Sequence, residues 1–169
     1  FLVLPYYIGK KIRICGLMDN ELEKEATETL DKSILKDQFQ SLDKKEIKKL
    51  AKDYDYFIAQ STIMTDIAKV FGKIFGPKGK MPNPKAGCVI APNANLKIVK
   101  ERLQKTIRLQ TKNELTIKAI IGKEDIDDDK ISENALAIYN NILHILPQEK
   151  QNIKDVLIKF TMSSPIKLE

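Results

Sequence analysis

In this chain of 169 residues, few of the side chains able to move a proton, bind a metal or attack a substrate stand where they could do so together. The one histidine, His144, sits in the apolar run "ILHIL", where a core or helix-end role is expected rather than general base work. Cys15 and Cys88 are far apart, without a CxxC spacing or a nearby histidine, which argues against a zinc site and against a disulfide scaffold. Both are expected to be reduced, buried thiols in a cytoplasmic protein. With one histidine and two separated cysteines there is no nucleophile and base to build a triad around. The acidic run "EDIDDD" (124–129) lacks the spacing of a calcium loop and precedes a predicted helix, whose dipole favours acids there. No catalytic residue, metal or cofactor is expected.

The residues that remain are lysines. The stretch "FGPKGKMPNPKAG" (75–87) holds three of the seven glycines, three of the seven prolines, Lys78, Lys80 and Lys85, and no acid. Prolines fix φ and push the residues before them towards extended backbone, while glycines permit turns. The combination predicts a loop of few conformers whose cations pay little ordering cost on binding. Its surroundings share the charge. Between Asp66 and Glu101 there is no acidic residue and there are seven lysines, so the other 22 basic residues face 23 acids and the whole excess of +6 lies in this region. Charge concentrated in this way fits a polyanion partner.

A phosphate cradle in an enzyme would need a strand, then the loop, then a helix whose amides point at the phosphates. Here the predicted order is helix 61–75 and then the loop, at the electronegative helix end. Neither G-x-G-x-x-G nor G-x-x-x-x-G-K-[ST] occurs. A nucleotide-binding α/β enzyme and a protein–protein adaptor stay as alternatives. Heat on titration with ATP or GTP would support the first, and a partner that survives ribonuclease the second.

The elements around these residues follow from periodicity. "KKIRICGL" (10–17) and "YFIAQ" (56–60) read as strands, and "GCVIAP" (87–92) as a third. "DNELEKEATETL" opens with Asp19 and Asn20 as caps, and 43–54 places Ile47, Leu50 and Ala51 at helical spacing, with a polar stretch between the two helices. Ser61 is expected to cap a helix with the stripe Ile63, Ile67, Val70, Phe71 and Ile74. The alternation predicts a small parallel sheet covered by helices, over residues 6–91. Beyond it, 95–106 reads as a basic helix, "IRLQTK" and "ELTIKAIIG" as strands joined at Asn113, and 129–146 as a helix with Ile131, Ala135, Ile138, Tyr139 and Ile142 buried. "IKDVLIKFTM" (153–162) reads as a strand with Val156, Ile158 and Phe160 on one face. That β-β-α-β unit is most of an α+β sandwich but lacks a partner strand and helix. No apolar run approaches the roughly 20 residues that span a bilayer.

The stretch 75–87 is similar to the signature of the ribosomal L-one family, with glycine, proline, lysine and asparagine in the family's order. "YDYFIAQSTIM" (54–64) and "VLIKFTM" (156–162) support it. The resemblance covers nearly the whole chain and is closest in detail to the archaeal branch. It implies two domains, a split α+β sandwich with an inserted Rossmann-like α/β domain. Residues 1–5 and 92–169 would form the RNA-binding domain and 6–91 the insertion, with a hinge at Pro5 and Pro92. Because the sequence begins at Phe1, the absent strand and helix are expected in an N-terminal segment outside it.

The resemblance further implies a structural constituent of the large ribosomal subunit that binds its RNA in the mobile stalk at the tRNA exit site. It would assist tRNA movement and release, work in the cytoplasm, be monomeric off the ribosome, and repress translation by binding its own mRNA. Thr161, Met162 and Ser163 match the family's RNA-contacting Thr-Met-Gly turn, with serine in place of glycine. Arg108, Gln110 and Lys112 alternate onto one strand face and are candidate phosphate or sugar contacts. Lys78, Lys80 and Lys85 are the insertion's candidates.

Overall fold

The computed structural model describes residues 1–92, 94–111 and 114–168. The chain enters through β1 (Leu2–Val3) and reaches β2 (Ile14–Met18), whose five residues are all buried. Asp19 ends β2, and its side chain accepts a hydrogen bond from the Asn20 amide at the start of a 3-10 turn leading into α1 (Glu23–Thr29). Then come β3 (Lys32–Leu35), α2 (Lys44–Asp53), β4 (Tyr56–Gln60), α3 (Met64–Lys78) and β5 (Val89–Ile90). Strands β2 to β5 form one parallel sheet in the order β3-β2-β4-β5, with Cys15 opposite Lys32 on one side and Phe57 on the other.

Alternation along β2 and β4 sorts the core into two layers, because successive side chains leave opposite faces. Cys15, Leu17, Phe57 and Ala59 meet Ile47, Leu50 and Ala51 of α2 and Ile67, Phe71 and Phe75 of α3. Three of the aromatic rings interlock, with Phe71 edge-on to Phe39 at 5.2 Å and 5.1 Å from Phe75. Ile14, Met18 and Ile58 face the other way, against Ala26 of α1 and against Leu96 and Leu103 of α4 (Leu96–Gln104). A sheet with helices on both faces needs strands apolar on both sides, which is why β2 and β4 read as continuous apolar runs.

The chain continues through β6 (Thr106–Ile107), α5 (Asp128–Ile145), β7 (Leu157–Ile158) and β8 (Ile166–Lys167). β6 pairs antiparallel with β1, and β7 with β8. Leu4, Ile8, Ile107 and Ile138 make a third, smaller core. Asn134, fully buried on α5, ties it together: its Oδ1 accepts from the Tyr6 amide at 3.1 Å, and its Nδ2 donates to the Ile121 carbonyl at 3.0 Å.

A mixed α/β fold with a helix-covered parallel sheet agrees with the expectation from sequence; several details differ. The polar stretch after α1 contains β3, an edge strand with only Ile34 buried, too thin an apolar signal to read. Residues 114–122 join no ladder among the described residues, and Leu115 is wholly exposed. Alternation marks a face but does not supply the neighbour that a strand's backbone needs. Among the described residues of "IRLQTK" only Ile107 pairs, as the end of β6, and the run 153–162 pairs only at Leu157–Ile158. The expected junction at Asn113 lies outside the described residues. Ser61 begins a 3-10 turn and makes no side-chain cap.

Candidate nucleic-acid interface

The basic stretch is half helix and half ordered loop. Helix α3 runs past the expected end at residue 75 and includes Pro77. A proline so close to the C-terminus costs one backbone hydrogen bond in a turn that is about to end. Gly79 stops the helix at φ +63, its amide bonded to the Gly76 carbonyl at 2.9 Å, while the Lys80 amide reaches the Phe75 carbonyl at 3.0 Å. This paired closure needs a left-handed residue and explains the glycine. Asn83 then caps a short turn by accepting from the Lys85 amide at 2.9 Å, and Gly87 closes it at φ +74. Pro82 and Ala86 are buried, so the loop is anchored at both ends.

Its three lysines differ in setting. Lys78 donates to the Lys48 carbonyl at 3.4 Å and Lys80 to the Tyr54 carbonyl at 2.5 Å. Lys85 is exposed, and its ammonium has no partner among the described residues. Burial pushes the Lys80 ammonium below its ordinary pKa; nearby Asp55 opposes this, and Lys78, Lys10 and Arg13 add to it.

Arg108 joins this group from a distant part of the chain. It follows β6, its Nη1 donates to the Gly79 carbonyl at 2.7 Å, and its guanidinium lies 5.9 Å from the Phe1 ring centre. Of the expected strand face, Arg108 and Gln110 lie beyond the end of β6. β6 stops at Ile107, Gln110 is exposed beyond it, and Lys112 lies outside the described residues. Next to Arg108, the Tyr56 hydroxyl donates to the Thr106 carbonyl at 3.1 Å. Burial pushes the Tyr56 phenol up to about 12, with Cys88 and Asp55 adding and Arg108 opposing.

Thr161, Met162 and Ser163 form an exposed turn after β7, with Met162 at 94% exposure. Ser163 closes this turn locally, because its Oγ accepts from the Phe160 amide at 2.8 Å and its own amide donates to the Phe160 carbonyl at 3.4 Å. Its φ is not positive, so this turn does not require the conformation that glycine would allow. At the expected hinge, the Leu4 amide donates to the Lys105 carbonyl at 2.9 Å and Lys105 Nζ reaches the Pro5 carbonyl at 3.3 Å. Pro92 lies in a turn, inside the span closed by the Ala94 amide on the Ala91 carbonyl.

The groups weighed for catalysis are placed otherwise. Cys15 and Cys88 are buried, and burial pushes their thiols up to about 12 and about 11, away from the reactive thiolate. His144 is exposed in the last turn of α5, so it has the helix-end setting and not the core one. Sequence reasoning missed Tyr56 as the tie to β6, and it missed Asn134, hidden among the apolar positions of a helix.

Fold and surface together define a mixed α/β protein with a preformed cationic loop. The chain belongs to the Ribosomal protein L1p/L10e family, whose family model matches residues 1–164. It is similar to proteins named large ribosomal subunit protein uL1 from archaea. It is 38% identical to that of Nanoarchaeum equitans, covering 99% of this chain and 81% of the relative. It is 37% identical to that of Thermococcus kodakarensis (99% and 76%) and 34% to that of Methanocaldococcus jannaschii (99% and 75%).

Proposed function

We propose that this protein is a non-enzymatic constituent of the large ribosomal subunit that binds the subunit's RNA and works on the ribosome in the cytoplasm. The observation that carries the reading is the family match over residues 1–164, with relatives named as large-subunit proteins aligned to 99% of the chain. The cationic stretch supports it, since phosphate neutralisation by placed lysines supplies most sequence-independent affinity for RNA.

The finer parts of the proposal are these. Residues 6–91 form an inserted Rossmann-like domain, and 1–5 with 92–169 form the RNA-binding sandwich, with Pro5 and Pro92 at the crossings. Helix α4, within the 92–169 part, packs Leu96 and Leu103 against the parallel sheet of the insertion. Thr161, Met162 and Ser163 contact RNA together with Arg108, Gln110 and Lys112, while Lys78, Lys80 and Lys85 add affinity. The protein helps the stalk pass tRNA from the exit site, is monomeric when free, and represses its own mRNA.

The test is co-purification with large subunits and loss at high salt. For the lysines, replacing Lys78, Lys80 and Lys85 together by Ala should flatten the log affinity against log salt slope for a stalk RNA fragment by about two to three. An unchanged slope would remove them from the interface. The exposed side chains Leu115, Ile120, Leu157 and Phe160 favour a second reading as a protein adaptor. That reading requires a partner retained after ribonuclease treatment.

A further inference from the structure

We infer that the cleft between the basic loop and the segment after β6 is a built phosphate site, and that it takes a backbone phosphate of the RNA. The second half rests on the function proposed above. The cleft encloses about 370 Å³, and among the described residues it is lined by Lys10, Lys78, Lys80, Arg108 and Lys118 against one carboxylate, Asp55. Small-ligand clefts run from about 300 to 1,000 Å³, so a phosphate fits with its ribose attached.

Three of the five cations are hydrogen-bonded without being neutralised. Lys78, Lys80 and Arg108 donate to the carbonyls of Lys48, Tyr54 and Gly79, which satisfy donors but carry no formal charge. Lys10 is paired with Asp55 at 3.0 Å and Lys118 with Glu114 at 2.9 Å, both pairs open to solvent and therefore weak. Cations gathered in a partly dry cleft repel one another, and the lowered Lys80 pKa, due first to burial, also carries that repulsion. A doubly coordinated phosphate oxygen pair relieves the repulsion and uses guanidinium donors that Gly79 leaves free.

The site is assembled rather than incidental. Arg108 is 29 residues from Gly79, yet the two fit so closely that a Cβ on Gly79 would lie 2.1 Å from Arg108 Nη1. The missing side chain is what lets the guanidinium sit against the loop, so one phosphate would touch both the basic loop and the segment after β6.

One substitution separates a built site from general positive charge, and a second tests the charge balance inside the cleft. Gly79→Ala removes no charge; it sets a Cβ against the Arg108 guanidinium and strains the left-handed helix end at φ +63, and should weaken RNA binding about fivefold or more. Asp55→Asn removes the one carboxylate yet keeps an oxygen for the Arg13 amide that Asp55 now caps at 3.3 Å, and should tighten binding about threefold or more. Affinity is measured with a large-subunit ribosomal RNA transcript at two salt concentrations. Inorganic pyrophosphate is titrated in parallel, followed by the side-chain NMR signals of Lys80 and Arg108. Circular dichroism checks folding; if Gly79→Ala does not fold, Asp55→Asn and Lys118→Gln decide, the latter expected to weaken binding. If the wild type binds RNA and the folded variants stay within twofold of it, the inference is overturned and the proposed function stands. Saturable pyrophosphate shifts at Lys80 and Arg108 without RNA binding would leave the phosphate site standing and overturn the RNA reading. Neither response would overturn both.

Discussion

Tyr56 shows how much one buried polar atom can decide. Its phenol donates to the Thr106 carbonyl, and Thr106 is itself 3% exposed, so removing the hydroxyl takes a partner from a buried acceptor. Tyr56→Phe should cost about 1 kcal/mol in denaturant unfolding. The same site has a pH signature. Burial raises the phenol from 10.0 to about 12, so the folded state prefers the protonated form. That contribution is complete below pH 10 and is lost as pH rises through 12. The fall of the thermal midpoint over that window should be shallower in the Phe variant. Asn134 is the stronger case, since its amide serves both Tyr6 and Ile121. Asn134→Ala should lose about 2 to 3 kcal/mol by leaving those backbone groups unpaired. Neither residue could be singled out from sequence, because a tyrosine in a strand and an asparagine in a helix reveal their partners only when distant segments meet.

Among the elements, α3 carries the largest share of packing. Ile67, Phe71 and Phe75 are fully buried along one face, and Phe71 touches rings on both sides. Phe71→Ala should destabilise by about 3 to 5 kcal/mol, read from the shift in the denaturation midpoint at unchanged slope. The stripe is legible in the sequence because a long helix repeats its apolar spacing several times. Strand β4 is legible to the residue, since burial on both faces gives an uninterrupted apolar run. β3 is not, because an edge strand with one buried side chain carries almost no pattern. The end of α3 differs from expectation because proline and glycine predict a break, whereas three more residues stay helical before Gly79 turns the chain.

At the level of the whole molecule, charge is readable before any fold. The acid-free run from Asp66 to Glu101 locates the cationic excess. The motif at 75–87 is enough to suggest the family to which the chain belongs. Sequence by itself therefore determined the periodic helices, the doubly buried strands, the charge distribution and the kinship, all of which are carried by neighbours along the chain. Tertiary structure alone decided that Arg108 reaches Gly79, that Tyr56 bonds β6, that α4 packs on the parallel sheet and that Ser163 closes its own turn with Phe160. Most of these join residues tens of positions apart, and no local pattern encodes which surfaces meet once two layers have buried their apolar faces. The loop 75–87 had its charge from sequence; the cleft it shares with Arg108 exists because the fold brings β6 alongside it.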